Sequence, residues 1–264
     1  MIAMNHTTLK SLAICGGLGL ILLLSSSATA PKKELQKIPE TKAMQIVTSI
    51  PMPDVSPRGM VAVQNAIWTI DTKTKTLKKF DIEKNRIVSS VRLDMGEPRG
   101  LAWDGKTFWI VDNRTKTVRQ FDPETQTVLR SLEVPMDINA EKAVLEAAAW
   151  DGKDLWVAYF AGWSSRILRM NVETGEVIQS MFAEGHPVAL ASDGKRLWMI
   201  SYNEGKYTGA ITQRTIMDDP VKMNLSQKII GRTPGKEPVG IGFDGTHLWI
   251  IDRQMKTIHK VALP

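Results

Sequence analysis

Three charged residues, Arg58, Arg99 and Glu146, recur at one position ahead of small and apolar residues, in the runs RGM, RGL and EAA. Arginine presents a planar fork of donors that fits a carboxylate or phosphate, and a nearby glutamate can neutralise it or take up an ammonium group. Glu184, His186 and Glu237 stand just before the matching positions of two later segments, where Val188 and Val239 replace the charge. These side chains could ring the mouth of a channel and hold a small anionic or zwitterionic ligand. The same ring could equally be a water-filled plug of mutual ion pairs. The residues leave both readings open.

A second group is aromatic. All three tyrosines of the chain, Tyr159, Tyr202 and Tyr207, lie in the segments YFAGWSS and YNEGKYTG, with Phe160 and Trp163 beside them. Elsewhere the corresponding connections are short runs, TKTKT and NRTKT. A departure from a repeat on one face of a rigid scaffold is where binding residues tend to be placed. Rings with a polar tip bury area while keeping a hydrogen-bonding handle. The expectation is a ligand-binding surface that includes Tyr159, Trp163, Tyr202 and Tyr207. The alternative is that these rings pack on one another to cover a long loop.

Such residues can meet only if the chain repeats. Residues 97–134, EPRGLAWDGKTFWIVDNRTKTVRQFDPETQTVLRSLEV, read as four short strands, the first two joined by an Asp-Gly turn. Similar units follow one another, marked by Trp68, Trp109, Trp156, Trp198 and Trp249 at spacings of 41, 47, 42 and 51 residues. Four-stranded repeats of that length predict an all-β, five-bladed β-propeller with four-stranded antiparallel blades over residues 43–264. The fifth unit stops after three strands. The early run MQIVTSIP resembles a fourth strand, so residues 43–51 are expected to complete the last blade and close the ring, protecting its edges. The first strands carry small residues on one face (Gly100 and Ala102, Ala147 and Ala149, Ala189 and Ala191, Gly240 and Gly242), suited to close approach near the axis. The five tryptophans are read as core.

The chain has 264 residues, 43% hydrophobic and 23% charged, with a formal net charge of +6. No basic stripe or nucleic-acid motif occurs, so no nucleic-acid partner is expected. Residues 1–30 carry Lys10, an apolar run from Leu12 to Leu24 and a small-residue exit, which fits a secretory signal peptide; residues 31–42 read as a linker. The expected localisation is therefore exported, periplasmic or extracellular, with membrane association only if the apolar segment is kept as an anchor. Cys15, the one cysteine, lies in that segment, so disulfides and thiol chemistry are excluded from the rest of the chain. His6, His186, His247 and His259 show no metal-ligand spacing, and no phosphate loop or nucleophile elbow appears. No cofactor and no metal are expected. Asp71, Asp112 and Asp252 end their second strands at one repeat position and are read as turn caps.

From Leu155 to Gly205 the chain resembles the plant-type glutamine cyclotransferase family. The matching elements are Gly162 to Ser165 (with Trp163 inserted), Thr174-Gly175, and Phe182-Ala183-Glu184-Gly185. The resemblance implies a five-bladed propeller that converts N-terminal glutamine to pyroglutamate without a metal, with Glu184 as general acid/base. Two other family patterns are broken: Leu145-Glu146-Ala147-Ala148 stands where the family has Thr-Gln-Gly-Leu, and Val157-Ala158-Tyr159-Phe160 where it has Glu-Ser-Thr-Gly. The regular repeats also resemble the broad NHL and YVTN group of propellers, many of which bind without catalysing. The leading expectation is a propeller that binds a small molecule, peptide or protein through the loop face of blades 3 and 4 and the channel mouth. The alternative is a glutaminyl-peptide cyclotransferase-like enzyme.

Overall fold

In a computed structural model of the chain, residues 42–264 are described, except 53–54, 137–141 and 204–205 and the side chains of 203 and 206–208. The expected signal peptide and most of the expected linker lie outside the described residues. Strand β1 (Ile46–Pro51) comes first. Blade 1 follows as β2 (Pro57–Val63), β3 (Ala66–Asp71), β4 (Thr76–Asp81) and β5 (Arg86–Arg92). Blade 2 is β6 (Pro98–Trp103), β7 (Phe108–Asp112), β8 (Thr117–Asp122) and β9 (Thr127–Glu133). Blade 3 is β10 (Val144–Trp150), β11 (Leu155–Phe160), β12 (Arg166–Met170) and β13 (Val177–Phe182). Blade 4 is β14 (His186–Ser192), β15 (Arg196–Asn203), β16 (Lys206–Thr215), helix α1 (Pro220–Leu225) and β17 (Lys228–Arg232). Blade 5 is β18 (Pro238–Phe243), β19 (Leu248–Asp252) and β20 (Thr257–Val261).

The strands form five four-stranded antiparallel sheets, and the inner strands β2, β6, β10, β14 and β18 pack on one another in cyclic order, β18 against β2. The fold is the all-β five-bladed propeller that the repeats predict. Closure is also as expected: β1 is the outer strand of blade 5, with Ser49 opposite His259 and Pro51 opposite Thr257. The strand begins at Ile46 rather than at residue 43. Ahead of it, Ala43 forms a parallel bridge to Arg232, and Met44 N donates to Arg232 O at 3.0 Å. The segment is thus stitched to blades 4 and 5 together.

Local sequence explains the blades. Gly105 and Gly245 adopt φ of 104° and 97° in their Asp-Gly turns, a region open to glycine at little cost. The turn aspartate then caps its own hairpin: Asp104 Oδ1 accepts from Thr107 N at 2.7 Å, and its Oδ2 accepts from the Trp109 indole at 3.0 Å. Asp151 with Trp156 and Asp244 with Trp249 repeat the indole bond at 2.8 Å. Burial alone would raise the pKa of Asp244, but donation from His247 N, the Trp249 indole, Thr246 N and Lys260 holds it at about 2. Asp71, Asp112 and Asp252 are buried and accept backbone N–H groups of the following turn, as expected of caps. Helix α1 is a feature that the repeat pattern did not signal. It replaces a tight turn, is capped by Asp219, and inserts Met223 into the core.

The core is divided among the five gaps between blades. One apolar cluster fills each gap, and each holds a repeat tryptophan projecting toward the following blade, buried for four of the five and partly buried for Trp68. The small face of each inner strand is pressed against the next inner strand rather than lining an open axis. A Cβ added at Gly100 would lie 2.6 Å from Ala147 Cα and 2.7 Å from Ala148 N, which are backbone atoms that cannot give way. The larger residues of the other face, such as Met60 and Leu101, fill the gap to the preceding blade.

His259 sits at the closure, 5% exposed, with Nδ1 2.8 Å from Ser49 Oγ. Burial lowers its pKa, with Asp252 opposing. The neutral ring is the folded form, so its contribution is complete above the unfolded value of about 6.5 and is lost as pH falls below it. Urea midpoints should therefore decline as pH falls below about 6.5 in the wild type, and less steeply in His259→Gln. Parallel pH profiles for the two chains would refute this.

Candidate functional site

The inner strands share one irregularity. Their register shifts between Arg58 and Met60, Pro98 and Leu101, Leu145 and Ala147, Pro187 and Ala189, and Pro238 and Gly240. A bulge re-aims the side chain beside it. Here that position carries Arg58, Arg99 and Glu146, at the end of the strand opposite the Asp-Gly turns.

The structure brings four of the expected site residues into one network. Glu146 is only 1% exposed. Its Oε1 accepts from Arg99 Nη1 at 2.8 Å and lies 3.0 Å from His186 Nε2, while its Oε2 accepts from Arg58 Nη2. One carboxylate therefore joins blades 1, 2, 3 and 4. Burial would raise its pKa, but His186, Arg58 and Arg99 together bring it below the ordinary value, so it stays ionised. The Arg99 fork is completed by Glu97, whose Oε1 accepts from Arg99 Nε at 3.0 Å. Glu97 in turn accepts from Asn113 Nδ2 at 2.5 Å. Glu237 stands apart from Glu146 and accepts from Arg253 Nε and Nη2.

The aromatic residues separate. The Phe160 and His186 rings stack at 4.1 Å and 15°, and Tyr202 meets His186 edge-on at 6.3 Å. The Tyr202 hydroxyl donates to Pro238 O, and burial raises its pKa, so it remains a neutral donor. Tyr159 is fully buried in the gap between blades 2 and 3, where a ligand could not reach it without parting the blades. Trp163 is the opposite case at 89% exposure, on a turn tied by Ser165 Oγ donating to Gly162 O at 2.7 Å. Tyr207 lies on β16, and its side chain is outside the described residues. Glu184 is exposed on the β13–β14 connection, with no hydrogen bond or ion pair among the described residues.

Beside the network is a cleft of about 260 Å³ lined by Arg58, Thr72, Lys75, Gly96, Glu97, Pro98, Arg99 and Arg253. A smaller cavity of about 130 Å³ lies within the channel among Leu101, Ala148, Leu190, Ile241 and their neighbours. Lys75, Glu97 and Arg253 were not among the residues expected from sequence. A signal for them exists in the repeat. Lys75 and Lys116 share one turn position, at φ of 52° and 56°, and each reaches a carbonyl ahead of the next blade, Gly96 O at 2.8 Å and Ala143 O at 2.6 Å. Arg253 shares its position with Thr72 and Asn113, directly after the capping aspartate. Among the described residues no group of three or more His, Cys, Asp or Glu side chains could hold a metal ion.

Removing the Glu146 charge leaves two half-buried guanidinium groups facing each other. Glu146→Gln should cost about 3–5 kcal/mol of stability. Chemical denaturation would measure it, and a loss under about 1 kcal/mol would mean that water already neutralises the arginines.

Residues 21–212 match a family model described as "Glutamine cyclotransferase". Among solved structures, the chain is similar to glutaminyl cyclase of Myxococcus xanthus, with a TM-score of 0.61 at 10% identity over 84% of this chain and 98% of that one. It is also similar to a chain of a nidogen/laminin complex, with a TM-score of 0.52 at 15% identity over 78% of this chain and 76% of that one. Virginiamycin B lyase from Staphylococcus aureus aligns at 21% identity over 81% and 69% of the two chains, with a TM-score of 0.47. At such identities these likenesses show the fold alone. No curated protein matches. The match to the family model spans well over half of the 264 residues, and on that ground the chain belongs to the glutamine cyclotransferase family.

Proposed function

We propose that this chain is a glutaminyl cyclase-like binding propeller that takes a small zwitterionic molecule, or one end of a peptide, at the mouth of its channel. The observation that carries this reading is the cleft where Arg58, Lys75, Arg99 and Arg253 converge with the single carboxylate of Glu97. Its volume of about 260 Å³ suits a ligand the size of one or two residues. Glu146 and Glu237 hold Arg58, Arg99 and Arg253 in place, so the forks are set before a ligand arrives. A carboxylate or carbonyl oxygen would sit on the arginines, and an ammonium group would sit on Glu97. The stack of Phe160, His186 and Tyr202 continues this face toward blade 4 and would carry the body of a longer ligand.

Family membership supports a second reading, cyclisation of N-terminal glutamine. In that reaction the α-amine attacks the side-chain carboxamide carbon, and a carboxyl group moves the proton from the amine to departing ammonia. Glu184 would be that group. The exposed Glu184 side chain makes no hydrogen bond or ion pair among the described residues and interacts with the charge of Arg214, whereas the buried Glu146 is held ionised by three partners and has no proton to give. Binding is therefore the reading that the geometry supports better.

The two readings part in one experiment. The purified chain is titrated with glutamine and with a Gln-initiated peptide by calorimetry, and ammonia release is followed in the same samples. Saturable binding that weakens at least tenfold in Arg253→Ala, without ammonia release, is expected. Steady ammonia release that disappears in Glu184→Gln would replace the binding reading with the enzymatic one. We also read residues 1–30 as an export signal and 31–42 as a linker, which places the propeller in the periplasm or outside the cell. N-terminal sequencing of the chain recovered from those fractions should begin after Ala28 or Ala30; an intact Met1 in a cytoplasmic fraction would contradict it.

A further inference from the structure

The inner strands share a second repeat position that the mouth does not use. Val63, Trp103, Trp150, Ser192 and Phe243 are the last residues of β2, β6, β10, β14 and β18, one from each blade, and all five are half-buried. They stand beside the turns into the second strands, at the end opposite Arg58, Arg99 and Glu146. Together they line the channel cavity of about 130 Å³.

Ring geometry explains why side chains do not fill this space. Alternate residues of an inner strand turn into opposite seams. Ala102 and Ala149 pack in two of the gaps, and Leu101 and Ile241 in two others. What faces the axis is the strand edge itself. Each inner strand is the terminal strand of its sheet, so one row of its N–H and C=O groups has no strand partner and must find water or a ligand.

The rim is apolar in four blades. The Trp103 ring lies 4.6 Å from that of Phe108, and the Phe243 ring 5.0 Å from that of Trp198. Both are fixed in their seams and offer their remaining surface to the cavity. Blade 4 carries the small, polar Ser192 instead. Its Oγ accepts from Gly194 N at 3.0 Å, which leaves the hydroxyl proton to donate. A cavity of about 150 Å³ is known to be large enough for a benzene ring. One of similar size, with aromatic edges, backbone polar groups and a serine hydroxyl, suits an aromatic ring that carries an oxygen.

We propose that the end of the channel away from the mouth is a binding site for a small neutral phenol, with Trp103, Trp150 and Phe243 around the ring and Ser192 donating to its oxygen. Ser192 also leaves the rim open in blade 4, where a ligand can enter. The site shares no residue with the cleft of Arg58, Lys75, Arg99 and Arg253.

The test is calorimetric titration of the full chain with phenol. Saturable binding is expected in the wild type and in Arg253→Ala. It should weaken at least tenfold in Ser192→Trp, which completes the aromatic rim, and about threefold in Ser192→Ala, which removes only the donor. Equal affinity in wild type and Ser192→Trp would overturn the proposal. So would the absence of saturable binding, which would leave the cavity to water, and so would unchanged affinity in Ser192→Ala. Loss in Arg253→Ala with retention in Ser192→Trp would assign phenol to the mouth and overturn this site. If Ser192→Trp does not fold, Ser192→Phe repeats the residue of blade 5 at this position. It should weaken binding to the same extent, and unchanged affinity would again reject the site.

Discussion

A ring of sheets has to close, and here closure depends on the antiparallel pairing of β1 with β20. Every blade lies between two others, and each apolar seam exists only because both of its walls are held in place. Without β1, the outer edge of blade 5 would be exposed, together with the bridge from Ala43 to Arg232 that ties blade 4 to the same segment. That pairing spans nearly the whole described chain, so the entropy of bringing its ends together is recovered only when all five seams form. The partly buried Ser49–His259 contact makes this joint sensitive to protonation.

Closure also determines where charge can collect. Five inner strands ending around one axis bring their bulged positions within reach of each other, and a single buried carboxylate there is surrounded by donors from three other blades. Glu146 in this position is a positioning element. It aligns Arg58 and Arg99 and fixes the imidazole of His186 against Phe160. Ion pairs and a ligand rim, which the residue types offered as rivals, become parts of one arrangement in the proposed reading. The inner pairs hold the forks, and the outer edges of those forks line the cleft.

Blade 4 departs from its repeat. Its second and third strands are lengthened, and its last connection carries α1 in place of a tight turn. Arg214 stands at the register position that Phe80 and Phe121 fill in blades 1 and 2. Irregularity in a repeat has therefore left two signatures, an exposed one at Trp163 and a buried one at Arg214.

Periodicity of two along each strand, tryptophans at near-constant spacing and Asp-Gly turns determined the number of blades, their strands and the closing segment, because these are local properties repeated five times. The same local logic identified the capping role of Asp71, Asp112 and Asp252, and the repeat position that carries Arg58, Arg99 and Glu146. Which charges pair was decided only by tertiary structure, since partners such as Arg58 and Glu146 stand on different blades and meet through ring geometry rather than through spacing. Burial of Tyr159 against exposure of Trp163 was decided in the same way. Both belong to one aromatic segment, yet one side chain turns into a seam and the other projects from a turn, a difference of direction that residue type alone does not contain.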